Sequence, residues 1–560
     1  MPPPEPEGGQ SPADVLADAA LALGGRGARA ARDAVARGRD ALASVLALPP
    51  GIRPAPGAPP FNDRAWTEQA PWALLRRLHA EGERTLRSLS DSPRLPAHRR
   101  PLARFLAQAV ADATAPTNFL LTNPAALRDA WHTRGASLAR GARHFAQDVR
   151  TRQGRPARMP PGSFRIGADL AATPGRVVHR NELLELLQYS PRTPRVHEVP
   201  LLLVPPWVNK YYIYDLAPGR SLVEWAVRQG FTVFCISARD HSSSTLDVDL
   251  EQFFTDGVLP ALDVVLRTCA VRRVGLVGAC SGGLFATALA DWLAQTGTAE
   301  AASLTLLATA LTLPEPFDRP HAFWEGEMRL LVELLSRDRR CIDGRKLALA
   351  FDLVRSEAQL WEPLTTGWLR GERPRAFDLT AWNDDNLDVP RKLFLDYFKV
   401  LAHGFDGSGR LRIAGRDLHP GHVTADTFAL AAQIDHIVPW ETAYRSTLLL
   451  RGDRTFRLVP SGHMGTVVSP PRPRTRHLAS AHMPATAAQW RETAVPVEGS
   501  WWQGWTDWLA ERSGGQVPSR TPRQRPGLAH DRAPGLYALH GWPDQLVQPT
   551  DDETPHSDSG

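Results

Sequence analysis

The sequence predicts an α/β protein: a mostly parallel sheet covered by helices, with a helical domain ahead of it. Three observations carry this. Short apolar, β-branched runs recur: "VPLLLVPP" (199–206), "FTVFCIS" (231–237), "VGLVGAC" (274–280) and "SLTLLATAL" (303–311). Helical patterns such as "SLVEWAVRQG" and "FFTDGVLPALDVVLRTC" separate them, as crossover connections between parallel strands require. Upstream, from Phe61 to about 150, apolar residues repeat at three and four with no strand signal.

The elements follow in order. Residues 1–60 are rich in Ala, Pro, Gly and Arg and read as a disordered or weakly helical extension ending in the linker "LPPGIRPAPGAPP". A helical domain is expected over 61–165; in it, "PWALLRRLHAEGERTLRSL" and "PLARFLAQAVADA" are helices, and Thr122 or Asn123 before Pro124 starts another. The sheet domain is expected over 166–512. Its alternation stops near Leu313 and resumes with "DTFALAAQ" (426–433) and "TFRLVPSG" (455–462), so 313–421 reads as a helical cap inserted over the site. From 513 to 560 the chain is Pro/Arg/Gly-rich and then acidic, which predicts a disordered tail.

With 560 residues, 43% hydrophobic and 22% charged, the chain has room for one large domain and a smaller one. The net charge of +5 is spread along the chain, and no run joins basic residues to stacking aromatics, which argues against nucleic-acid binding. A basic protein suits an anionic substrate such as a coenzyme A ester. The four cysteines, Cys235, Cys269, Cys280 and Cys341, form no C-x-x-C pair, which points to a reducing compartment and away from structural zinc. No apolar run reaches the roughly 18 residues of a membrane span. The opening "MPPPEPEGGQ" has neither a basic start nor an apolar core, so a cytoplasmic location is expected.

The chemistry centres on "VGLVGACSGGLFATALA" (274–290). Gly278 and Gly282 flank Cys280 at minus two and plus two, as a sharp strand-to-helix turn carrying a nucleophile demands in an α/β-hydrolase fold. The Ser281 backbone N–H then supplies half of an oxyanion hole, while the Ser281 hydroxyl is out of register for attack, because its own minus-two residue is Ala279. The bland alternative is a buried structural cysteine. Asp435 lies just past one later strand and His463 just past the next, giving the chain order nucleophile, acid, base. His463 is the candidate base for the thiol. Asp435 either orients the imidazole or accepts a proton itself. His436 is expected to point elsewhere, and Asp453 is a fallback acid in a turn before the last strand. A second oxyanion N–H is expected near Trp207 or Val208, after the first strand. Trp501, Trp505 and Trp508 share a helical face that packs onto the core. A thiol attacking an ester makes a higher-energy thioester; attacking a coenzyme A thioester, it exchanges like for like. Cysteine therefore suits acyl transfer fed by thioesters.

From about Phe61 to Gly515 the chain resembles the bacterial polyhydroxyalkanoate synthases, the single-subunit type in particular. The resemblance rests on eight blocks in one order: "TNFLLTNPAALRDAW", "IGADLAATPGRVVHRNELLELLQYSP", "VPPWVNKYYIYDLAPGRSLVEWAVRQGFTVFCIS", "GACSGG", "AWNDDNLDVP", "DHIVPW", "SGHMG" and "GSWWQGWTDWLAERSG". It implies an α/β-hydrolase catalytic domain that joins (R)-3-hydroxyacyl groups from coenzyme A thioesters into a polyester and releases coenzyme A. Cys280 matches the nucleophile that holds the growing chain, His463 the base, and Asp435 the acid proposed to act on the 3-hydroxyl. The family is also expected to dimerise, to work at the surface of cytoplasmic polymer granules among granule proteins, and to need no metal or cofactor. Ala238-Arg239-Asp240 stand where the family usually has Trp-Arg-Asn, and the block at Trp382 is shortened. The alternatives are a thiol hydrolase of the same fold, such as a polyester depolymerase or acyl-coenzyme A thioesterase, and a non-catalytic granule protein.

Overall fold

Pro124 fixes a helix start, and the residue before it supplies the cap. Asn123 accepts the Ala126 N–H at 3.0 Å and donates to the Thr117 carbonyl at 2.7 Å. The helix that follows is α3 (Pro124–His132); α1 (Ala70–Ser90) and α2 (Arg100–Ala113) precede it, and α4 (Ala136–Arg152) follows. In the computed structural model these helices belong to the first of two compact units, Met1–Arg158 with Asp352–Pro374; the second is Met159–Phe351 with Arg375–Gly560. The structure describes residues 60–95, 100–242, 247–312, 332–333, 335–336, 340–403, 411–523, 528 and 531–539. The extension at 1–59 and the start of the insertion lie outside them.

The domain borders differ from the sequence reading in two respects. The first unit ends at Arg158, and part of the expected cap, Asp352–Pro374, groups with the N-terminal helices. A helical period tells which face is apolar, and leaves open which body that face joins. Within this unit, buried Asp352 is held by Arg155 and Arg158, Asp148 accepts from Trp368 Nε1 at 2.7 Å, and Arg370 pairs with Asp129 at 2.7 Å.

The second unit is built on a ten-stranded sheet: β1 (Gly175–Arg180), β2 (Leu184–Tyr189), β3 (Leu201–Val204), β4 (Val233–Ala238), β5 (Arg273–Ala279), β6 (Glu300–Leu307), β7 (Thr427–Ala432), β8 (Arg454–Val459), β9 (Arg476–Ala479) and β10 (Val495–Glu498). The order is β1-β2-β4-β3-β5-β6-β7-β8-β9-β10. The six strands from β4 to β8 are parallel, and β1, β2, β9 and β10 add antiparallel edges. Side chains alternate across the sheet. Leu202, Val204, Val274 and Leu276 enter the core on one face; Leu201, Leu203, Val277 and Ala279 enter the other. Helices α6 (Leu259–Cys269) and α7 (Ser281–Thr296) cover the first face, and α5 (Leu222–Arg228) and α10 (Trp501–Ala510) the second. Between these in the chain lie α8 (Arg391–His403) and α9 (Trp440–Leu448). No helix among the described residues is long and apolar enough to cross a membrane.

The tail expected to be disordered from 513 is in part ordered. Gln516–Pro518 pairs antiparallel with Arg195–His197. Asp531 binds Arg176 at 2.7 Å, and its carbonyl accepts the Val177 N–H at 2.6 Å. The Leu536 and Tyr537 N–H groups bond the buried Glu185 carboxylate at 3.2 and 3.1 Å. A Pro- and Arg-rich composition conceals such a segment because backbone groups and one buried carboxylate hold it.

Trp505 is fully buried under the sheet and donates its indole N–H to Thr305 Oγ1 at 3.0 Å. Trp505→Ala is expected to lower stability by about 3–5 kcal/mol in urea denaturation; a loss below about 1 kcal/mol would contradict this packing.

Candidate active site

Strand β5 ends at Ala279, and α7 begins at Ser281. Cys280 between them has φ 49° and ψ −122°, a conformation a side chain adopts only under constraint. The constraint is local. The Cys280 N–H donates to the Leu307 carbonyl at 2.9 Å, and its carbonyl accepts the Gly283 N–H at 3.0 Å. The two flanking glycines permit the turn. A Cβ on Gly278 would lie 2.8 Å from Ala286 Cβ and from the Gly282 carbonyl, and one on Gly282 would strike the Val204 and Pro205 carbonyls.

Asp435 and His463 leave the ends of β7 and β8, whose last residues, Ala432 and Val459, are paired in register. The Gln433 N–H donates to Val459 O at 2.8 Å and the Ile434 N–H to Ser461 O at 3.0 Å, so the two loops run together. His463 Nδ1 lies 2.7 Å from Asp435 Oδ2, with side chains 4% and 0% exposed. The second carboxylate oxygen, Oδ1, accepts the N–H groups of Ile437 and Val438 at 2.8 and 2.9 Å. Asp435 is thereby held from both sides. The other ring nitrogen, Nε2, is buried with no partner in good hydrogen-bond geometry. Burial by itself would lower the His463 pKa. The charge on Cys280, together with the hydrogen bond and charge of Asp435, outweighs it and carries the ring from the ordinary 6.5 up to about 10. Cys280 thus contributes to the environment that raises the His463 ring.

Ser281 and Val208 stand near this corner in different ways. Ser281 opens α7, so its N–H is one of the helix-start donors with no partner inside the helix. Its hydroxyl is buried without a hydrogen-bond partner. Val208 follows β3, whose Val204 pairs with Gly278; its carbonyl accepts the Leu387 N–H at 3.4 Å. His436 is exposed, although its neighbour Asp435 is inside. Asp453 sits at the opposite end of β8 from His463, with its carbonyl bonded to the Thr427 N–H, so it takes no part in this cluster.

The structure adds Phe394, Tyr397 and Trp502, which the sequence reading did not single out, to the Trp207 and Trp501 that it did. Trp207 packs edge-on to Tyr397 at 5.3 Å and to Phe394 at 6.2 Å, both on α8. Burial, and then the charge of Cys280, push the Tyr397 hydroxyl well above its usual range. Trp501 and Trp502 donate their indole N–H groups to Thr466 O and Val467 O at 3.0 and 3.1 Å, supporting the turn after His463. The shared helical face of Trp501 and Trp505 was visible in the sequence; the hydrogen-bonding partner of each indole was not. Of the four cysteines, Cys280 alone is not fully buried, while burial pushes Cys269 up to about 11.

The His463 ring is expected to titrate near pH 10 by NMR in the wild type and to fall clearly below that in Cys280→Ala. There the charge that holds the proton is gone and burial still opposes it. A titration unchanged by the substitution would disprove the coupling.

Two family models match the chain: the N-terminus of poly-beta-hydroxybutyrate polymerase over residues 59–226, and the alpha/beta hydrolase fold over 200–470. Poly(3-hydroxyalkanoate) polymerase 2 of Ectopseudomonas oleovorans is 34% identical over 504 residues, covering 87% of each chain. The poly(3-hydroxyalkanoate) polymerase subunit PhaC of Cupriavidus necator is 33% identical over 492 residues, covering 85% of this chain and 83% of that one. Poly(3-hydroxyalkanoate) polymerase of Methylorubrum extorquens is 32% identical over 501 residues, covering 87% and 82%. With the strand order, the strained cysteine corner and the paired Asp435 and His463 in place, the chain belongs to the poly(3-hydroxyalkanoate) polymerases, acyltransferases of the α/β-hydrolase fold.

Proposed function

We propose that this chain joins (R)-3-hydroxyacyl units from coenzyme A thioesters into a polyester, with the acyl group held on Cys280 and coenzyme A released. The observation that carries this reading is the strained Cys280 corner at the end of β5 together with the 2.7 Å His463–Asp435 pair at the ends of two neighbouring parallel strands. In the first step the Cys280 sulfur attacks the thioester carbonyl. A new carbon–sulfur bond forms, the bond to coenzyme A breaks, and the leaving thiolate takes the proton that His463 holds. In the second step His463 removes the proton of a 3-hydroxyl, the oxygen attacks the Cys280 thioester, and an ester forms as the cysteine leaves. Negative charge on the carbonyl oxygen falls to the Ser281 N–H and a donor at Trp207–Val208. Both steps exchange acyl groups between sulfur and sulfur or oxygen, so they call for no metal or redox cofactor beyond the coenzyme A of the substrate.

Asp435 has two possible tasks, orienting His463 or activating the 3-hydroxyl. Both of its oxygens are engaged, one by His463 and one by two backbone N–H groups, which supports the orienting role. The remaining expectations from the family belong to this reading: a homodimer, in the cytoplasm, at the surface of a polymer granule with granule-associated proteins.

The test is thiol release from short- and medium-chain (R)-3-hydroxyacyl-coenzyme A, with the product extracted and sized. Thiol release with high-mass polyester, falling by about 10³-fold or more in Cys280→Ala, is the expected outcome. Release of free hydroxy acid alone would make the chain a thiol hydrolase. Polymer formation surviving Cys280→Ala would remove the cysteine from the mechanism.

A further inference from the structure

The chain has four lysines, and one of them, Lys210, is 2% exposed. Its ammonium lies 3.0 Å from Asp385 Oδ1 and donates to the Ala538 carbonyl at 2.7 Å. The other Asp385 oxygen accepts the Tyr212 hydroxyl at 2.8 Å. Neighbouring residues continue the attachment. The Lys210 carbonyl accepts Trp382 Nε1 at 2.8 Å, Asn209 Nδ2 donates to Asn386 Oδ1 at 2.8 Å, and the Leu387 N–H reaches the Val208 carbonyl. Val208–Lys210 is thus fastened to Trp382–Leu387 through the main chain and a buried ion pair. Three segments distant in sequence meet on one ammonium.

A buried ion pair is a poor source of stability, because desolvation offsets most of its attraction and an apolar pair of the same volume does as well. Its distinctive property is direction: fully partnered buried polar groups fix a unique geometry. What this geometry fixes is the turn immediately after Trp207 and Val208. We propose that Lys210 and Asp385 are positioning residues that hold the Trp207–Val208 backbone where it receives the carbonyl oxygen, with the Ala538 carbonyl completing the ammonium's shell. The inference deepens the reading above and rests on its assignment of that backbone to the oxyanion. A donor misplaced by about 1 Å costs on the order of 10²-fold in rate.

The experiment uses the full chain carrying Lys210→Met together with Asp385→Asn. Asn at 385 still accepts the Tyr212 hydroxyl, and no charge is orphaned. The burst of p-nitrophenol from p-nitrophenyl butyrate reports acylation of Cys280, and iodoacetamide alkylation reports the nucleophile without an oxyanion. The double variant is expected to melt within a few degrees of wild type and to acylate about 10–100-fold more slowly, with KM and the alkylation rate within about twofold. A burst rate equal to wild type overturns the proposal. So does a loss of alkylation in step with the burst, since the pair would then act through the thiol. Should the double variant not fold, the full chain carrying Asp385→Asn alone keeps the Lys210 bond to the Ala538 carbonyl and the acceptor for Tyr212 and removes only the charge of the pair. It is expected to lose about 2–10-fold in burst rate, and an unchanged burst would overturn the proposal. A wild type that acylates but makes no polyester would refute the polymerase reading while the burst ratio still decides this one.

Discussion

The site depends on one strained residue. Cys280 holds φ 49° at the end of the central strand, a conformation that costs on the order of 1–3 kcal/mol for a side-chain-bearing residue. Such strain persists only where neighbours over-determine the backbone. Here they are the Leu307 carbonyl on one side, the first turn of α7 on the other, and the bare Cα atoms of Gly278 and Gly282 between. The turn leaves the Ser281 N–H without a partner inside the helix, so in the proposed reading one backbone distortion supplies both the nucleophile and an oxyanion donor.

The rest of the site is built on the Asp435–His463 pair. Asp435 is fixed by two backbone N–H groups, so the carboxylate is held against Nδ1 and Nε2 is the ring nitrogen left for the proposed proton transfer. The Trp501 and Trp502 indoles secure the turn beyond His463 from the opposite face of the sheet. Aromatic rings from the segment after β3 and from α8 pack against one another, Trp207 edge-on to Phe394 and Tyr397.

How much of this could be read from the chain varies by element. The central parallel strands were clear because strands covered on both faces are continuous apolar runs, such as "LLLV" of β3. The edge strands β1 and β2 were not identified as strands, since "GRVVHRNELLELLQY" offers a helical spacing as good as an alternating one. Cys280, Asp435 and His463 were visible because each follows a strand end, and the parallel register brings those ends side by side. Tyr397 was hidden in an amphipathic helix where an aromatic residue reads as core. The Lys210–Asp385 pair was hidden for a different reason. Two charged residues so far apart in the chain carry no local mark of their contact, and only burial reveals that they need each other.

The C-terminal segment has a consequence at the margin of the sheet. Strand β1 would otherwise present a row of unpaired N–H and C=O groups, the template on which sheets of separate molecules join. Asp531–Ala533 runs along it instead: the Asp531 carbonyl takes the Val177 N–H, and the Ala533 N–H reaches Gly175 O at 3.0 Å. At the far margin, β10 carries Pro496 and ends in Glu498, residues that cannot extend a ladder or that repel a like neighbour. Both borders of the ten-stranded sheet are thereby poor templates for the edge-to-edge addition of a further strand.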